Sequence, residues 1–361
     1  MKKFRIAVFN YGLPTPGEKH GGVDRVAHDL AEGLAERGHH VTVWTLDPKP
    51  AGAAYEVQEL PFKSFISSWL GRRVTMGYLG NFISLLPRYL EADVIIAHGD
   101  SLLMPLLGRP LIRVMHGSAL GEACSSKSAL RFIMQLGIYP LELLSALTQV
   151  SVGVSQNTVR YNPFVRRVIP NGIDLQKFGS DINAMTKHPS ILFVGTLGGR
   201  KRGYQLLKWF TEVIQVQYRD ATLDMVSASG PELEGVTYHT GIETEELALL
   251  YRRSWVYASP STYEGFGIPY IEAMASGTPV VASMNPGSHE VLEGGRYGRI
   301  VKDEDFAEEV CHILFDCEAR DALSKKGLLR AEAFSLGRMI DSYEKMIEEL
   351  VRNGSAQYRL R

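Results

Sequence analysis

The chain has 361 residues, 45% of them hydrophobic, enough for two domains with separate cores. Its 39 basic and 40 acidic residues nearly cancel, leaving no global signal for nucleic acid or for a membrane surface. The halves differ, because residues 1–180 hold 19 Lys+Arg against 14 Asp+Glu and the rest hold 20 against 26, so the basic half suits anionic lipid or an acidic acceptor.

The opening string M-K-K-F-R-I-A-V-F-N-Y-G carries too short an apolar run for a signal peptide, and Arg5–Phe9 reads instead as a buried strand. A loop rich in Gly and Pro follows, from Leu13 to Gly22. Val26, Leu30 and Leu34 then recur with helical period, the pattern stops at Gly38, and Val41–Leu46 reads as the next strand, completing a βαβ unit. Residues 62–90 mix aromatics, aliphatics and arginines. Val94–Ala97, Leu111–Met115 and Val152–Val154 are further apolar strands, the last closing this half. Val168–Asp174, V-I-P-N-G-I-D, reads as a linker, and 178–189 is polar and irregular. A second alternation begins at Ile191–Val194 and continues with Leu223–Val226 and Trp255–Ala258. Strands alternating with helices predict parallel sheets covered on both faces, and the boundary falls near 175–188.

Cys124, Cys311 and Cys317 fit no metal spacing, and their odd number argues against a disulfide framework, so a reducing cytoplasm is the expected compartment. No run of 18 apolar residues exists, and no membrane span is expected.

Chemistry concentrates after two strands. The loop after Ile191–Val194 reads G-T-L-G-G-R-K-R-G, setting Arg200, Lys201 and Arg202 side by side among glycines. Fixed cations after a strand can hold an anionic group, although a solvated basic turn has the same composition. After Trp255–Ala258 comes E-G-F-G-I-P-Y-I-E, with Glu264 in a loop hinged by Gly265 and Gly267 and Glu272 on the helix behind it. Pro269 suits the first helical position, Gly277 suits the cap, and Thr278–Ser283 reads as the following strand. Exposed amides at a helix start, at the carboxyl end of a strand, make an anion site, and a carboxylate one turn further on suits a polyol such as ribose. The D-E-D at Asp303–Asp305 is read as a helix start, where Asp caps well, and not as a metal-binding pair.

The string T-Y-E-G-F-G-I-P-Y-I-E-A-M-A-S-G-T-P-V-V-A-S resembles the donor-site signature of the retaining GT-B glycosyltransferases, family 4. The resemblance implies an α/β GT-B fold, two Rossmann-like doubly wound parallel-sheet domains facing across a cleft. It assigns 1–178 to an acceptor-side domain and 188–333 to a nucleotide-sugar donor domain, with a last helix at 334–351 crossing back. It implies roles for Glu264 near the donor's hexose and phosphate, for Gly265, Phe266, Gly267 and Ile268 through their amides, and for Glu272 at the nucleotide ribose. Thr196 stands where the family has an arginine, so which of the following cations serve the diphosphate is open; Lys201 and Arg202 are preferred, with Arg200 beside them. Gly21 and Gly22, in H-G-G-V, resemble the family's diphosphate-contacting glycines, and His116, in V-M-H-G-S, its active-site histidine. His98 is read as structural or acceptor-side, Gly230 and Ile242 as backbone contacts to the nucleobase, and Asn285–Glu290 as a segment able to reach the phosphate side. Relatives with lipid-linked acceptors often lay a stretch like 62–90 on the membrane, but a pair of core-facing helices is the preferred reading.

The implied reaction moves a hexosyl unit from a UDP- or GDP-linked sugar to an acceptor hydroxyl of a lipid or saccharide, without metal or other cofactor and without nucleic acid. The implied location is cytoplasmic, with peripheral contact at the inner face of the membrane. Two alternatives stay open, a GT-B sugar-nucleotide epimerase and a catalytically silent sugar-nucleotide-binding subunit. An NAD dehydrogenase does not fit, because no G-x-G-x-x-G follows the first strand.

Overall fold

The computed structural model describes residues 2–14, 21–59, 90–99, 101–125 and 128–357. The segment 62–90, considered above for membrane contact, lies outside the described residues apart from its last position. The chain divides into two compact units, Met1–Gly172 with Leu336–Arg361, and Ile173–Ser335.

The first unit is built on a seven-stranded sheet of order β3-β2-β1-β4-β5-β6-β7. The strands are β1 (Arg5–Phe9), β2 (His40–Thr45), β3 (Glu56–Glu59), β4 (Val94–His98), β5 (Leu111–Met115), β6 (Val150–Gly153) and β7 (Arg167–Val168). Every pairing in it is parallel. β4 and β5 are buried at all five positions, as expected of strands covered on both faces. The helices used below are α1 (Gly22–Glu36), α2 (Ala119–Ser125), α3 (Ala129–Thr148) and α4 (Gln156–Arg160).

The second unit carries a six-stranded parallel sheet of order β10-β9-β8-β11-β12-β13. Its strands are β8 (Ser190–Val194), β9 (Thr222–Val226), β10 (Val236–His239), β11 (Val256–Ser259), β12 (Val280–Ser283) and β13 (Arg299–Val301). Its main helices are α5 (Gly203–Trp209), α6 (Thr244–Arg253), α7 (Ile268–Ala275), α8 (Pro286–Val291), α9 (Phe306–Phe315) and α10 (Cys317–Ala331). One core runs through Phe193, Leu206, Phe210, Met225, Val281 and Phe306, joining β8, β9 and β12 to the helices beside them. Together the two sheets give the GT-B, Rossmann-like doubly wound α/β fold.

Three readings shift. The first unit ends at Gly172, not at 178: Phe178 is buried in the second unit, where its ring meets Tyr251 edge-on at 6.0 Å and its carbonyl accepts the Ser276 hydroxyl at 2.9 Å. The expected linker therefore carries structure, since Val168 belongs to β7 and Ile173 bridges to Ser335. The C-terminal helix, α11 (Leu336–Gln357), starts two residues later than expected. It packs on α1, where Glu344 takes His39 at 3.0 Å and a β-carbon on Gly33 would collide with Ile340.

The strands missed in the sequence, β3, β7, β10 and β13, lie at or next to sheet edges and are short and partly exposed, so they lack the apolar run that marks a central strand. The sequence contains no run of 18 apolar residues, yet α3 is long and apolar enough by length and composition to match a membrane span.

Candidate functional site

In the second sheet the chain works outward from β8 in both directions, through β9 to β10 on one side and through β11 to β13 on the other. The crevice at the carboxyl ends of two such neighbouring strands is where open α/β sheets hold ligands. The loops leaving β8 and β11 meet there, and they carry the two motifs singled out in the sequence.

The first loop bends over Gly195, whose missing side chain leaves room for the Lys201 stem, and a β-carbon at that position would come within 3.0 Å of Lys201 Cβ and Cγ. A 3₁₀ turn over Gly199–Lys201 follows, and then Arg202 takes a left-handed backbone at φ 58°. The second loop is fastened to the first through its backbone, since Thr262 N donates to Arg200 O at 2.9 Å. Arg200 Nη1 donates to Tyr263 O at 2.6 Å and to Glu264 Oε2 at 2.9 Å, while Lys201 Nζ lies 2.6 Å from Glu264 Oε1. Burial alone would raise the Glu264 pKa, but Lys201 and Arg200 more than offset it and hold the carboxyl below its ordinary value. The result is a buried carboxylate clamped by one largely buried and one half-exposed cation.

Arg202 does not join them. Its left-handed backbone turns the side chain the other way, where Nη1 and Nη2 grip Asp303 at 3.0 and 2.7 Å and the guanidinium lies over Trp209. The cations beside Glu264 are thus Arg200 and Lys201, in place of the Lys201 and Arg202 preferred from sequence. Here the third cation leaves the other two where the backbone turns left-handed at Arg202, a turn that composition does not reveal. Asp303 bonds to Arg202 and to the Ser283 hydroxyl and makes no capping bond. Thr196 bonds within its own loop, donating to Gly198 O at 2.9 Å.

Gly267, at φ 105°, makes the bend into α7, and Pro269 sits in the first turn. Phe266 packs its ring edge-on against Phe334, 5.7 Å away, leaving only its backbone to a ligand, while Gly265 and Ile268 are half-buried. Glu272, one turn into α7, is buried and accepts the Tyr251 hydroxyl at 3.0 Å. Gly230 closes against the β8 loop, so a β-carbon there would come within 2.8 Å of Leu197 and of the Tyr238 hydroxyl. Ile242 is half-buried just before α6.

Asn285 and Gly287 were foreshadowed only as part of a segment reaching the phosphate side. Asn285 Nδ2 donates to Ser261 O and to the Tyr270 hydroxyl, each at 3.0 Å. A β-carbon on Gly287 would come within 2.7 Å of Glu264 Cβ and of Phe266 O, so α8 presses directly on the loop that bears Glu264.

The first unit holds its own set. Gly21 and Gly22 are exposed at the head of α1, where Gly21 N donates to Asp24 at 3.2 Å and Asn10 donates to the same carboxylate at 3.0 Å. His116 follows β5, and its Nε2 lies 2.8 Å from Nδ1 of His98, the last residue of β4, with the rings stacked. Burial lowers the His116 pKa to about 4, and burial together with its neighbour holds His98 well below the ordinary histidine value. The loop after His116 is pinned by a residue the sequence did not flag: Glu142 of α3, buried, accepts Ala119 N at 2.7 Å and the Ser118 hydroxyl at 3.4 Å.

Residues 20–177 match the Glycosyltransferase Family 4 domain model, and residues 188–316 match that for Glycosyl transferases group 1. Among curated relatives, the phosphatidyl-myo-inositol mannosyltransferase of Propionibacterium freudenreichii is 26% identical over 288 residues, covering 73% of each chain. Among solved structures, the sucrose-phosphate synthase of Thermosynechococcus elongatus superposes with a TM-score of 0.80 at 21% identity, covering 97% of this chain and 99% of its own. Anabaena HepE, solved with UDP-glucose, reaches 0.72 at 16% identity, covering 96% and 100%. With one glycosyltransferase model matched in each unit and the GT-B fold beneath them, the chain is a GT-B glycosyltransferase.

Proposed function

We propose that the chain is a retaining, metal-independent hexosyltransferase that moves a sugar from a UDP- or GDP-linked donor to an acceptor hydroxyl in glycolipid, polysaccharide or other glycoconjugate synthesis. The observation that carries this reading is the grip of Arg200 and Lys201 on Glu264 at the carboxyl ends of β8 and β11. In this reading the bond from the anomeric carbon to the diphosphate oxygen breaks and its electron pair leaves with the diphosphate. Arg200, Lys201 and the amides of Gly265–Ile268 take up that charge, which is the role a metal ion plays elsewhere. The acceptor oxygen bonds to the same face of the anomeric carbon, and its proton passes to the departing phosphate oxygen. Glu264 is already neutralised by two cations, which suits a group that fixes their positions better than a covalent nucleophile. Glu272, steadied by Tyr251, takes the ribose, and Gly230 and Ile242 frame the base.

The mannosyltransferase relative supports a lipid or saccharide acceptor, and the UDP-glucose complex of HepE supports a nucleotide-sugar donor. The test is incubation with UDP- and GDP-sugars, with and without lipid and oligosaccharide acceptors, following nucleoside diphosphate release and the product's anomeric configuration by NMR. Acceptor-dependent release with a retained configuration, undiminished by chelator, is the expected result. Inversion would overturn the retaining mechanism. Conversion of donor without acceptor would favour an epimerase.

A further inference from the structure

α3 turns its polar residues inward. Its buried positions are Glu142, Ser145 and Ala146, while Leu141, Leu144 and Leu147 beside them are exposed. A helix serving only to close a core would bury the leucines. A buried carboxylate is costly unless its oxygens are engaged, so Glu142 contributes something other than apolar packing.

Its partners show what that is. The first amides of a helix have no acceptor within it, and at the start of α2 Ala119 N donates to Glu142 Oε2 at 2.7 Å. The Ser118 hydroxyl donates to Oε1 of the same carboxylate at 3.4 Å. Ser118 and Ala119 follow His116 with only Gly117 between them. One carboxylate therefore grips the segment that leaves His116.

The same turn of α3 is tied to the other histidine through Arg113 of β5, which is also buried. Arg113 Nη1 donates to the Glu142 carbonyl at 3.1 Å, and its Nε donates to Gly99 O at 3.2 Å. Gly99 directly follows His98 and turns the chain with φ 101°. The loops leaving β4 and β5 thus share one anchor, and the 2.8 Å contact between His98 Nδ1 and His116 Nε2 depends on both.

We infer that Glu142 is a positioning residue for His116, with Arg113 tying the His98 loop to the same anchor. The inference rests on the transfer reading above, with His116 as the active-site histidine that the family resemblance implies. What the role asks of Glu142 is reach and an acceptor at Ala119 N, more than charge.

Two substitutions separate reach from charge. Glu142→Gln keeps the length and an acceptor for Ala119 N, and its amide can donate to the Ser118 oxygen. Glu142→Asp keeps the charge but draws it back by one methylene. The full-length variants are compared with wild type by thermal melt, by kcat and donor KM for transfer, and by NMR of the His98 and His116 imidazole nitrogens at neutral pH. Glu142→Asp should lower kcat roughly tenfold or more, leave donor KM within about threefold, and displace both imidazole signals. Glu142→Gln should keep kcat within about threefold of wild type and leave the signals in place, even with a lower melt. Should Glu142→Asp not fold, Ser118→Ala removes one donor from the grip and should lower kcat by a smaller factor, an unchanged kcat counting against the inference. Losses of kcat that follow the melt in both Glu142 variants would make the residue merely structural and overturn the inference. So would equal losses in the two, since charge would then be the requirement, or imidazole signals that stay put in Glu142→Asp. The imidazole signals need no turnover, so they decide the positioning even if wild type transfers no sugar, and in that case it is the transfer reading that fails.

Discussion

Lys201 points at Glu264 and its neighbour Arg202 points at Asp303, so two adjacent cations serve different carboxylates 39 positions apart in sequence. The left-handed backbone of Arg202 makes that separation. Replacing each residue separates the roles. Lys201→Ala removes a charge aimed at the crevice and should lower kcat/KM by about 10²–10³, the range for loss of one electrostatic stabiliser. Arg202→Ala removes a bond to a half-exposed partner and should cost less than about tenfold, seen mainly in the melting temperature. Steady-state kinetics on both variants decide it, and equal losses would return Arg202 to the diphosphate.

The Glu264 carboxylate also makes stability depend on pH. Its pKa is lowered in the folded state, so its contribution is fully present above the ordinary carboxylate value and is lost as pH falls through the lower, folded one. Glu264→Gln should therefore melt below wild type at neutral pH, with the gap closing as the solution is acidified below the ordinary carboxylate value of 4.5. A gap that is constant with pH would mean the carboxylate is not ionised in the fold. The same variant should also lose transfer activity at neutral pH.

Legibility differed between chemistry and geometry. The glutamates, their spacing and the glycine hinge were readable because their residue types alone dictate a turn and a helix start, and α7 begins at Ile268 with Gly267 bending into it. The central strands β1, β4, β5, β8, β9 and β11 were readable as apolar runs. What could not be read was side-chain direction: that Arg202 turns away, that His98 stacks on His116, and that Gly287 abuts Glu264 are consequences of how distant segments meet. The apolar helix α3 was missed for another reason. Arg131 and Glu142 interrupt its run, and only the fold shows that one lies exposed against Glu122 while the other is buried.

The stacked histidines have a testable protonation state. Both pKa values are depressed, so between the unfolded histidine range and about 4 the unfolded chain binds protons that the fold excludes. Their contribution is fully present above about 6.5 and is lost as pH falls towards 4. His98 Nε2 is buried without a hydrogen-bond partner, and an orphaned acceptor is tolerated better than an orphaned N–H. That places the His98 proton on Nδ1, donated to His116 Nε2, and leaves the His116 proton on Nδ1. His98→Phe keeps the stack but removes the donor, so it should flatten the stability slope between pH 6.5 and 4 and alter kcat more than donor KM. An unchanged slope in chemical denaturation would contradict the neutral pair.

Gly287 offers the sharpest test of how the donor loop is held. It lies at the start of α8, with Asn285 anchoring the preceding turn to Ser261 and Tyr270. Its backbone is not in the positive-φ region, so alanine carries no intrinsic strain there. The only obstacle is space: the added carbon would sit 2.7 Å from Glu264 Cβ and from Phe266 O, and 2.9 Å from Glu264 O. Backbone oxygens cannot swing aside, so either α8 or the Glu264 loop must shift, at a cost on the order of 1–3 kcal/mol. Because Arg200 and Lys201 are bonded to Glu264, the shift disturbs all three at once. Gly287→Ala should therefore lower kcat/KM by about tenfold or more, well beyond its effect on folding, because a misplacement near 1 Å is enough to damage pre-organised groups. Tyr251→Phe is the comparison, removing the bond to Glu272 without touching the Glu264 loop. It should raise donor KM several-fold and leave kcat near wild type, and a Gly287→Ala enzyme showing that same split would place the damage at the ribose contact and not at the cations.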